Sequence, residues 1–170
     1  MASSMTRCHL ESKVNEFFTA WEALRPDSSD AVYDRLGSLF DKDCVVNPIS
    51  MRESVSPRIG RLAAVEGYKE LVREQRCSII QRRIESQIID EDQRVVSCEM
   101  KNHLSVNGCQ LDPFHETAVL KYNAEGFIAS LNMYSCRSPI VTILQKTTGL
   151  GPYIDVDHEA HGLKLDHINE

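Results

Sequence analysis

A single carboxylate interrupts an apolar row near the middle of the chain. The turn Asn123–Gly126 joins two alternating runs and carries glycine where a hairpin needs a positive φ, so residues 109–137 are predicted to form a strand-turn-strand unit. Alternation then places four residues on one face: Phe114, Glu116, Ala118 and Leu120. Because apolar surroundings raise the pKa of a carboxyl group into the range useful for proton transfer, Glu116 is the leading candidate for a catalytic acid or base.

Two more polar residues lie on strand faces that are predicted to be buried. Even-numbered positions form the apolar face of residues 78–89 and of residues 94–106, and Arg82 and Asn102 interrupt these faces. Arg82 would stabilise an enolate or alkoxide with its fixed charge, and Asn102 would donate to a substrate carbonyl or hydroxyl. The structural alternatives stay open: a buried Arg82–Glu116 ion pair, an Arg82 that reaches solvent, or an Asn102 that holds a neighbouring loop.

The histidines give weaker candidates. His103 and His115 fall on the outward faces of their strands, where they are expected to meet solvent or a partner subunit. Pro113 indicates an irregularity, and a β-bulge there is the alternative that would turn a histidine inward. His158 and His161 are one residue too close for the H-E-x-x-H metal motif. We therefore predict no metal site and, without a glycine-rich phosphate loop, no cofactor.

Helices are predicted to come first in the chain. Apolar residues recur at three- and four-residue steps over residues 10–24, and Pro26 ends this helix. Its stripe includes Phe17 and Trp21, which belong either to the core or to the wall of a pocket. A second, shorter helix follows the capping residues 28–30, and a third covers residues 62–75.

Strands dominate the rest of the chain. A short buried strand at residues 43–47 is predicted to end at Pro48, and the segment from 49 to 60 is either a lid or a plain surface loop. Four long strands then form a meander, with the hairpin signal Asn107–Gly108 in its centre. Residues 140–144 close it as a strand or a helical turn, and the polar residues 151–170 form a tail. This order predicts one α+β domain, residues 1–150, with helices on one face of a curved sheet.

Composition narrows the class of protein. The chain has 170 residues and a formal charge of −6, which suits an ordinary globular domain and argues against a nucleic-acid partner. No apolar run is long enough to cross a membrane, and the N-terminus has no signal-peptide core. The six cysteines include no C-x-x-C pair, so we expect reduced thiols in a cytoplasmic protein.

Three segments in order resemble the nuclear transport factor 2-like superfamily, which includes the SnoaL-like polyketide cyclases and small isomerases of fungal meroterpenoid pathways. They are residues 39–48 (LFDKDCVVNP), 67–71 (GYKEL) and 122–128 (YNAEGFI). The resemblance covers roughly residues 10–137 and implies a cone-shaped barrel, in which a curved antiparallel sheet wraps the N-terminal helix around a pocket. Many members dimerise through the outer face of the sheet, so a homodimer is expected.

The resemblance also assigns one strand face. The isoleucine after the hairpin glycine points inward in the superfamily, which implies that Ile128, Ser130, Asn132 and Tyr134 face the pocket. Asn132 would then donate to the substrate and Tyr134 would contact it. The base of ketosteroid isomerase precedes the proline of the early strand, where this chain has Asn47, a group that cannot act as a base but can contact a substrate.

Together these features predict a function and its site. The expected activity is a cofactor-independent isomerase, cyclase or dehydratase that acts on a lipophilic polyketide or terpenoid intermediate of secondary metabolism, with an epoxide hydrolase as a weaker possibility. The alternative is a non-catalytic ligand-binding or dimerisation module of the same fold. The expected catalytic residues are Glu116, Arg82, Asn102 and Asn132, and the expected substrate-binding residues are Tyr134, Trp21, Phe17 and Asn47.

Overall fold

A computed structural model describes residues 5–50, 52 and 55–151 of the chain. Its four helices are α1 (Arg7–Glu22), α2 (Asp30–Gly37), α3 (Arg61–Lys69) and α4 (Ser138–Thr148). Its six strands are β1 (Phe40–Ser50), β2 (Arg58–Ile59), β3 (Cys77–Asp90), β4 (Val95–Val106), β5 (Cys109–Tyr122) and β6 (Ile128–Ser135). The predicted α+β class is confirmed within these residues. The predicted tail, residues 151–170, lies outside the described part except for Gly151.

The strands form one curved, unclosed sheet in the order β2-β1-β6-β5-β4-β3. All neighbours are antiparallel except β1 and β6, which run parallel because β1 joins the far side of the meander. The long hairpin between β4 and β5 turns at Asn107 and Gly108, both with positive φ (47° and 83°), as the sequence signal predicted. The sheet is therefore mixed rather than wholly antiparallel.

The long first helix covers the inner face of the sheet. Thr6 caps α1 by accepting a hydrogen bond from the backbone of His9, and the predicted apolar stripe is buried: Leu10, Val14, Phe17, Phe18 and Trp21. Isolated helices of this length are marginally stable in water, so burial of this stripe against β3 and β4 provides most of the stability of α1. The core therefore sits between α1 and the concave side of the sheet.

Two segments differ from their predicted form. Strand β1 does not end at Pro48 but continues to Ser50, since β2 pairs only with Val45 and Val46 and leaves Pro48 beside an open edge that needs no donor. Helix α3 ends at Lys69 and continues as a wider π-helical turn, Glu70–Glu74. Such turns are frequent at functional sites, and this one contributes to the site described below.

The register of β3 differs from the prediction. Two bulges, at Ile79/Gln81 and Ile84/Ser86, change which residues face inward. The prediction that the even face is the core face is wrong for this strand, because Ile80 and Ile88 are 48% and 70% exposed whereas Ile79 is buried. Arg82 nevertheless points inward as predicted. The first bulge adds one residue to β3 before Arg82, so that Arg82 pairs with the inward residue Asn102.

The register of β6 overturns a second prediction. Lys121 pairs with Ser130 and Tyr122 with Ile128, so Ala129 is an extra residue in β6. Ile128 points inward as the resemblance implied, but after the extra residue the inward positions are Leu131 and Met133. The prediction that Asn132 and Tyr134 face the pocket is therefore wrong.

The irregularity predicted at Pro113 is present. Asp112 and Pro113, joined by a cis peptide bond, oppose the single residue His103. The bulge turns both Leu111 and Phe114 inward and leaves His115 exposed. The prediction that His103 and His115 lie outward is confirmed, and the alternative of an inward histidine is wrong.

All six cysteines lie among the described residues, and none forms a disulfide, as predicted. Four are buried in the core as small apolar residues: Cys44, Cys77, Cys98 and Cys109. None of the described helices is both long and apolar enough to cross a membrane.

Candidate active site

A cavity of about 330 Å³ opens between α3, the concave side of the sheet and the start of α4. Its walls are mainly apolar, which is typical of a site for a lipophilic small molecule. Val55 and Arg58, from the segment predicted as a lid or a surface loop, lie in this wall. The lining residues that carry the argument below are Trp21, Arg58, Tyr68, Glu70, Gln75, Cys77, Phe114, Glu116, Ser135 and Arg137.

Glu116 projects from β5 into this cavity, as the sequence predicted. Its Oε2 accepts a hydrogen bond of 2.6 Å from Nδ2 of Asn102, which lies on the neighbouring strand β4. Burial raises the pKa of Glu116 to about 7, against the opposing effects of the Arg82 charge, the Asn102 hydrogen bond and the Arg137 charge. Near neutral pH the carboxyl group is therefore divided between its acid and base forms.

Arg82 lies behind Glu116 rather than in the cavity wall. Its side chain is 2% exposed, and its guanidinium lies over the rings of Phe18 (4.3 Å) and Trp21 (4.5 Å) of α1. Nε donates to Oδ1 of Asn102 at 3.3 Å, while Nη1 and Nη2 have no hydrogen-bond partner among the described residues. Burial lowers the pKa of Arg82, but the guanidinium stays charged.

Asn102 joins the two ionisable groups. Its amide oxygen accepts from Arg82 and its amide nitrogen donates to Glu116, so one buried side chain fixes both. The alternative of a direct ion pair between Arg82 and Glu116 is therefore wrong for the described residues, which show no salt bridge between them and connect them through Asn102. The three inward polar residues that the sequence singled out on β3, β4 and β5 do come together.

Glu22 extends this network to the surface. Its Oε1 lies 3.6 Å from Nη1 of Arg82, and its side chain is 40% exposed at the end of α1. Glu22, Arg82, Asn102 and Glu116 thus form a continuous series of contacts from solvent to the cavity, which we call the acid network. The apolar stripe of α1 gives no sequence signal for Glu22, because Glu22 is not one of its apolar positions.

We expect Glu22→Gln to lower the pKa of Glu116. The Arg82 charge stabilises ionised Glu116, and Glu22 offsets part of that charge, so its neutralisation leaves Arg82 acting more strongly on Glu116. The midpoint of the Glu116 carboxyl titration, followed by NMR, should move to lower pH. Glu11→Gln, which removes a surface partner of Arg7 on the same helix, should leave it unchanged. An unchanged or higher midpoint in Glu22→Gln would contradict this coupling.

Several lining residues escaped the sequence analysis. Tyr68 packs edge-on against Trp21 at 5.4 Å, and burial keeps the pKa of its phenol well above the usual value, so it remains a hydrogen-bond donor. Burial also raises the pKa of the Cys77 thiol, to about 12, which keeps it neutral. Tyr68 looked like an ordinary core residue of α3, and Arg137 lies beyond the last strand, so neither had a signal based on alternation.

Only one of the predicted substrate-binding residues lines the cavity. Trp21 lines the cavity, whereas Phe17 is fully buried in the core and does not contribute to the lining. Asn47 and Asn132 are opposite each other in the β1–β6 register, on the outward side of Val46 and Leu131. Tyr134 is 43% exposed on the outer face of the sheet. Phe17, Asn47, Asn132 and Tyr134 are therefore not part of this cavity.

No group of histidine, cysteine or carboxylate side chains in the described residues is arranged to hold a metal ion. His103 Nε2 lies 2.9 Å from Oε1 of Gln110 on the outer face of the sheet, away from the cavity. His158 and His161 lie outside the described residues.

Comparison with solved structures identifies the fold. The chain superposes on the BvnE pinacolase from Penicillium brevicompactum with a TM-score of 0.66 and 15% identity, over 84% of this chain and 96% of that one. The epoxide hydrolase/cyclase-like enzyme SalBIII, described as acting in pyran ring formation in the polyether salinomycin, gives 0.60 and 15%, over 77% and 93%. An NTF2-like protein of unknown function from Cytophaga hutchinsonii gives 0.52 and 14%, over 82% and 98%.

The chain therefore has the nuclear transport factor 2-like fold, as the resemblance implied. No family model matches the sequence, and a comparison with curated proteins gives no match. At these identities the likeness establishes the fold, and the activity has to be argued from the cavity.

Proposed function

We propose that this protein is a cofactor-independent isomerase or cyclase that moves protons on a lipophilic small molecule. The observation that carries the proposal is Glu116, a carboxyl group with a pKa of about 7 in an apolar cavity. A group whose pKa lies near the working pH can both take up and return a proton within one turnover. Isomerisation and cyclisation need this pair of steps and no net change in oxidation state.

Each member of the acid network has a separate role in this proposal. Glu116, the member that lines the cavity, takes a proton from the substrate and returns it at another atom. Asn102 and Arg82 are positioning residues, because they act on Glu116 and do not line the cavity: Asn102 fixes the carboxylate by a hydrogen bond, and the Arg82 charge stabilises its ionised form. Tyr68 is held neutral, so its hydroxyl can donate to an oxygen on which negative charge develops.

The structural neighbours support this type of chemistry. One neighbour is named a pinacolase, and another is an epoxide hydrolase/cyclase-like enzyme described as acting in pyran ring formation. We propose an analogous tailoring step on a polyketide or terpenoid intermediate of secondary metabolism. Epoxide hydrolysis fits less well, because the second carboxylate of the cavity, Glu70, is engaged by Arg58.

The assembly and location are also proposals. A homodimer formed through the outer face of the sheet is supported by the apolar side chains exposed there, Ile80 and Ile88, and a cytoplasmic location is supported by the free thiols. The competing function, a non-catalytic binding module, would use the same apolar cavity without the proton-transfer chemistry of Glu116.

The first test of the function needs no substrate. We expect the side-chain carboxyl carbon of Glu116, followed by NMR, to titrate with a midpoint of about 7, because burial destabilises its charged form. Glu116→Gln, which lacks this carboxyl group, assigns the signal. A Glu116 midpoint in the ordinary carboxyl range would contradict the proposal.

The second test measures the chemistry. The protein is incubated in D2O with a panel of lipophilic β,γ-unsaturated ketones, α-hydroxy ketones and hydroxy-epoxides, and the products are analysed by mass spectrometry. We expect at least one member to give an isomer, with solvent deuterium incorporated wherever a proton was exchanged at carbon. Binding without isomer formation or exchange would favour the non-catalytic module.

A further inference from the structure

Among the described residues, one cation of the cavity wall is not part of an ion pair. The charged lining residues among those described are Arg58, Glu70, Glu116 and Arg137. Arg58 and Glu70 form an ion pair with each other, and Glu116 belongs to the acid network. Arg137 forms no ion pair within the described part of the chain. Its side chain makes one long hydrogen bond, 3.4 Å from Nη2 to Oε1 of Gln75, a neutral group.

The position of Arg137 relates it directly to the proton-transfer group. It follows β6 by two residues, and the last residue of that strand, Ser135, pairs with Glu116 across the sheet. The Arg137 charge contributes to holding the pKa of Glu116 down, so the two groups share the same electrostatic environment. Arg137 is half-buried, and its guanidinium is therefore less well hydrated than that of a surface arginine.

The local backbone reinforces the positive potential. Arg137 immediately precedes α4, whose first turn contributes Ile140 and Val141 to the cavity wall. The positive end of this eleven-residue helix therefore lies on the same side of the cavity as the guanidinium. Guanidinium groups bind carboxylates through two parallel hydrogen bonds, and the pairing is stronger where water is partly excluded.

We infer that the cavity takes a lipophilic carboxylic acid, whose carboxylate binds Arg137 while its carbon skeleton extends along the apolar wall towards Glu116. This inference rests on the proposed function and specifies the substrate class for the same site. The walls around the skeleton are the side chains of Leu104, Phe114 and Met133. Gln75 is the second donor, since its amide nitrogen becomes available to the carboxylate while its oxygen keeps its contact with Arg137.

Binding of such a substrate would also change Glu116. A carboxylate on Arg137 offsets the positive charge that helps to stabilise ionised Glu116, so the pKa of Glu116 rises in the complex. The protein would bind its substrate with Glu116 shifted towards its acid form. A cyclisation or rearrangement that starts with protonation would use that form.

The test compares an acid with its neutral ester. Binding of decanoate and of methyl decanoate to the full chain is measured at neutral pH by isothermal titration calorimetry. We expect decanoate to bind on the order of tenfold more tightly than the ester, as suits one charge-assisted hydrogen-bonded pair. In Arg137→Gln the affinity for decanoate should fall to that for the ester, with the affinity for the ester unchanged. Arg137→Lys should retain part of the preference.

Arg35→Gln, which removes an exposed arginine of α2 that is not part of the cavity wall, is the matched control and should keep the full preference. Equal affinities for acid and ester, or a preference that survives in Arg137→Gln, would overturn the inference. Neither result would affect the proposed role of Glu116. Absence of binding by both ligands would overturn the inference and would also contradict the lipophilic substrate of the proposed function.

Discussion

Replacement of Glu116 by glutamine is expected to reduce turnover by a factor of about 10² to 10⁴, the usual contribution of a positioned acid or base. Glutamine has nearly the same shape and can accept the hydrogen bond from Asn102, so the cavity and the fold should remain intact. Turnover is measured with the substrate found in the D2O panel. Ligand affinity should change much less than the rate, because the variant removes only the proton-transfer group.

The same replacement should change stability in a pH-dependent way. In the folded protein the pKa of Glu116 is raised from 4.5 to about 7, so its contribution to stability is fully present below about pH 4.5 and is lost as pH rises towards 7. This shift in pKa lowers the free energy of unfolding by about 3 kcal/mol above pH 7. Since glutamine does not ionise, Glu116→Gln should gain stability relative to the native chain as pH rises over this interval.

Urea unfolding at several pH values measures this difference. Glu125→Gln, the same substitution at an exposed position of the β5–β6 turn, is the matched control for the loss of a carboxyl group outside the cavity. A Glu116→Gln protein that is inactive because it is unfolded, or one that turns substrate over at the native rate, would remove Glu116 from the mechanism.

Replacement of Arg82 by methionine is the second large expected effect. Methionine fills a similar volume between Phe18 and Trp21, but the positive charge that holds down the pKa of Glu116 is lost. The pKa of Glu116 should therefore rise, and its base form should become scarce at neutral pH. We expect the rate of any step that uses this base to fall by about tenfold for each unit of that rise and to recover as pH increases.

The stability of Arg82→Met should also depend on pH. Near pH 8 the variant has to bury Glu116 either as a carboxylate without its cation or as an acid, which is unfavourable at this pH. Removal of one partner from a buried charge pair costs about 3–5 kcal/mol of stability. At acid pH Glu116 is neutral in both proteins, and the loss should be smaller. The comparison is made by urea unfolding, together with pH–rate profiles.

Arg83→Met is the matched control, because Arg83 is the next residue of β3 but lies outside, paired with Glu85. It should leave the pH–rate profile unchanged, whereas Arg82→Lys should restore part of the native profile because it restores the charge. If Arg82→Met and Arg83→Met behave alike, the charge of Arg82 has no special role.

The centre of the site was predictable from the sequence because its residues break a pattern. Asn102 and Glu116 each interrupt an apolar strand face, and a polar group on such a face needs a partner there. For Arg82 the count of even positions, which is wrong at Ile80 and Ile88, gives the right face because of the bulge that precedes it. In the structure, Asn102 links the other two. The fold was predictable for a related reason, since the stripe of α1 and the Asn107–Gly108 turn are local signals that burial and hairpin geometry reinforce.

The rest of the site was not predictable, because it depends on how elements meet. The alternation of strand faces, starting from Ile128, predicted that Asn132 and Tyr134 face the pocket. The extra residue Ala129 places both on the opposite face of the sheet. Arg137 belongs to no strand and enters the cavity through the position of α4. Glu22 looked like a solvated residue of α1, because its relation to Arg82 exists only once the helix has packed across the sheet.

The bulges have a consequence for comparisons between distant proteins of this fold. They divide the meander into segments, and each segment has its own rule for which side chains face the cavity; the boundaries lie near Ile80, Glu85, Pro113 and Ala129. At about 15% identity, an alignment that runs across one of these boundaries without a gap would equate a cavity residue of one protein with a surface residue of another. Catalytic residues should therefore be transferred between such proteins segment by segment, with the superposed strands rather than the sequence numbering as the guide.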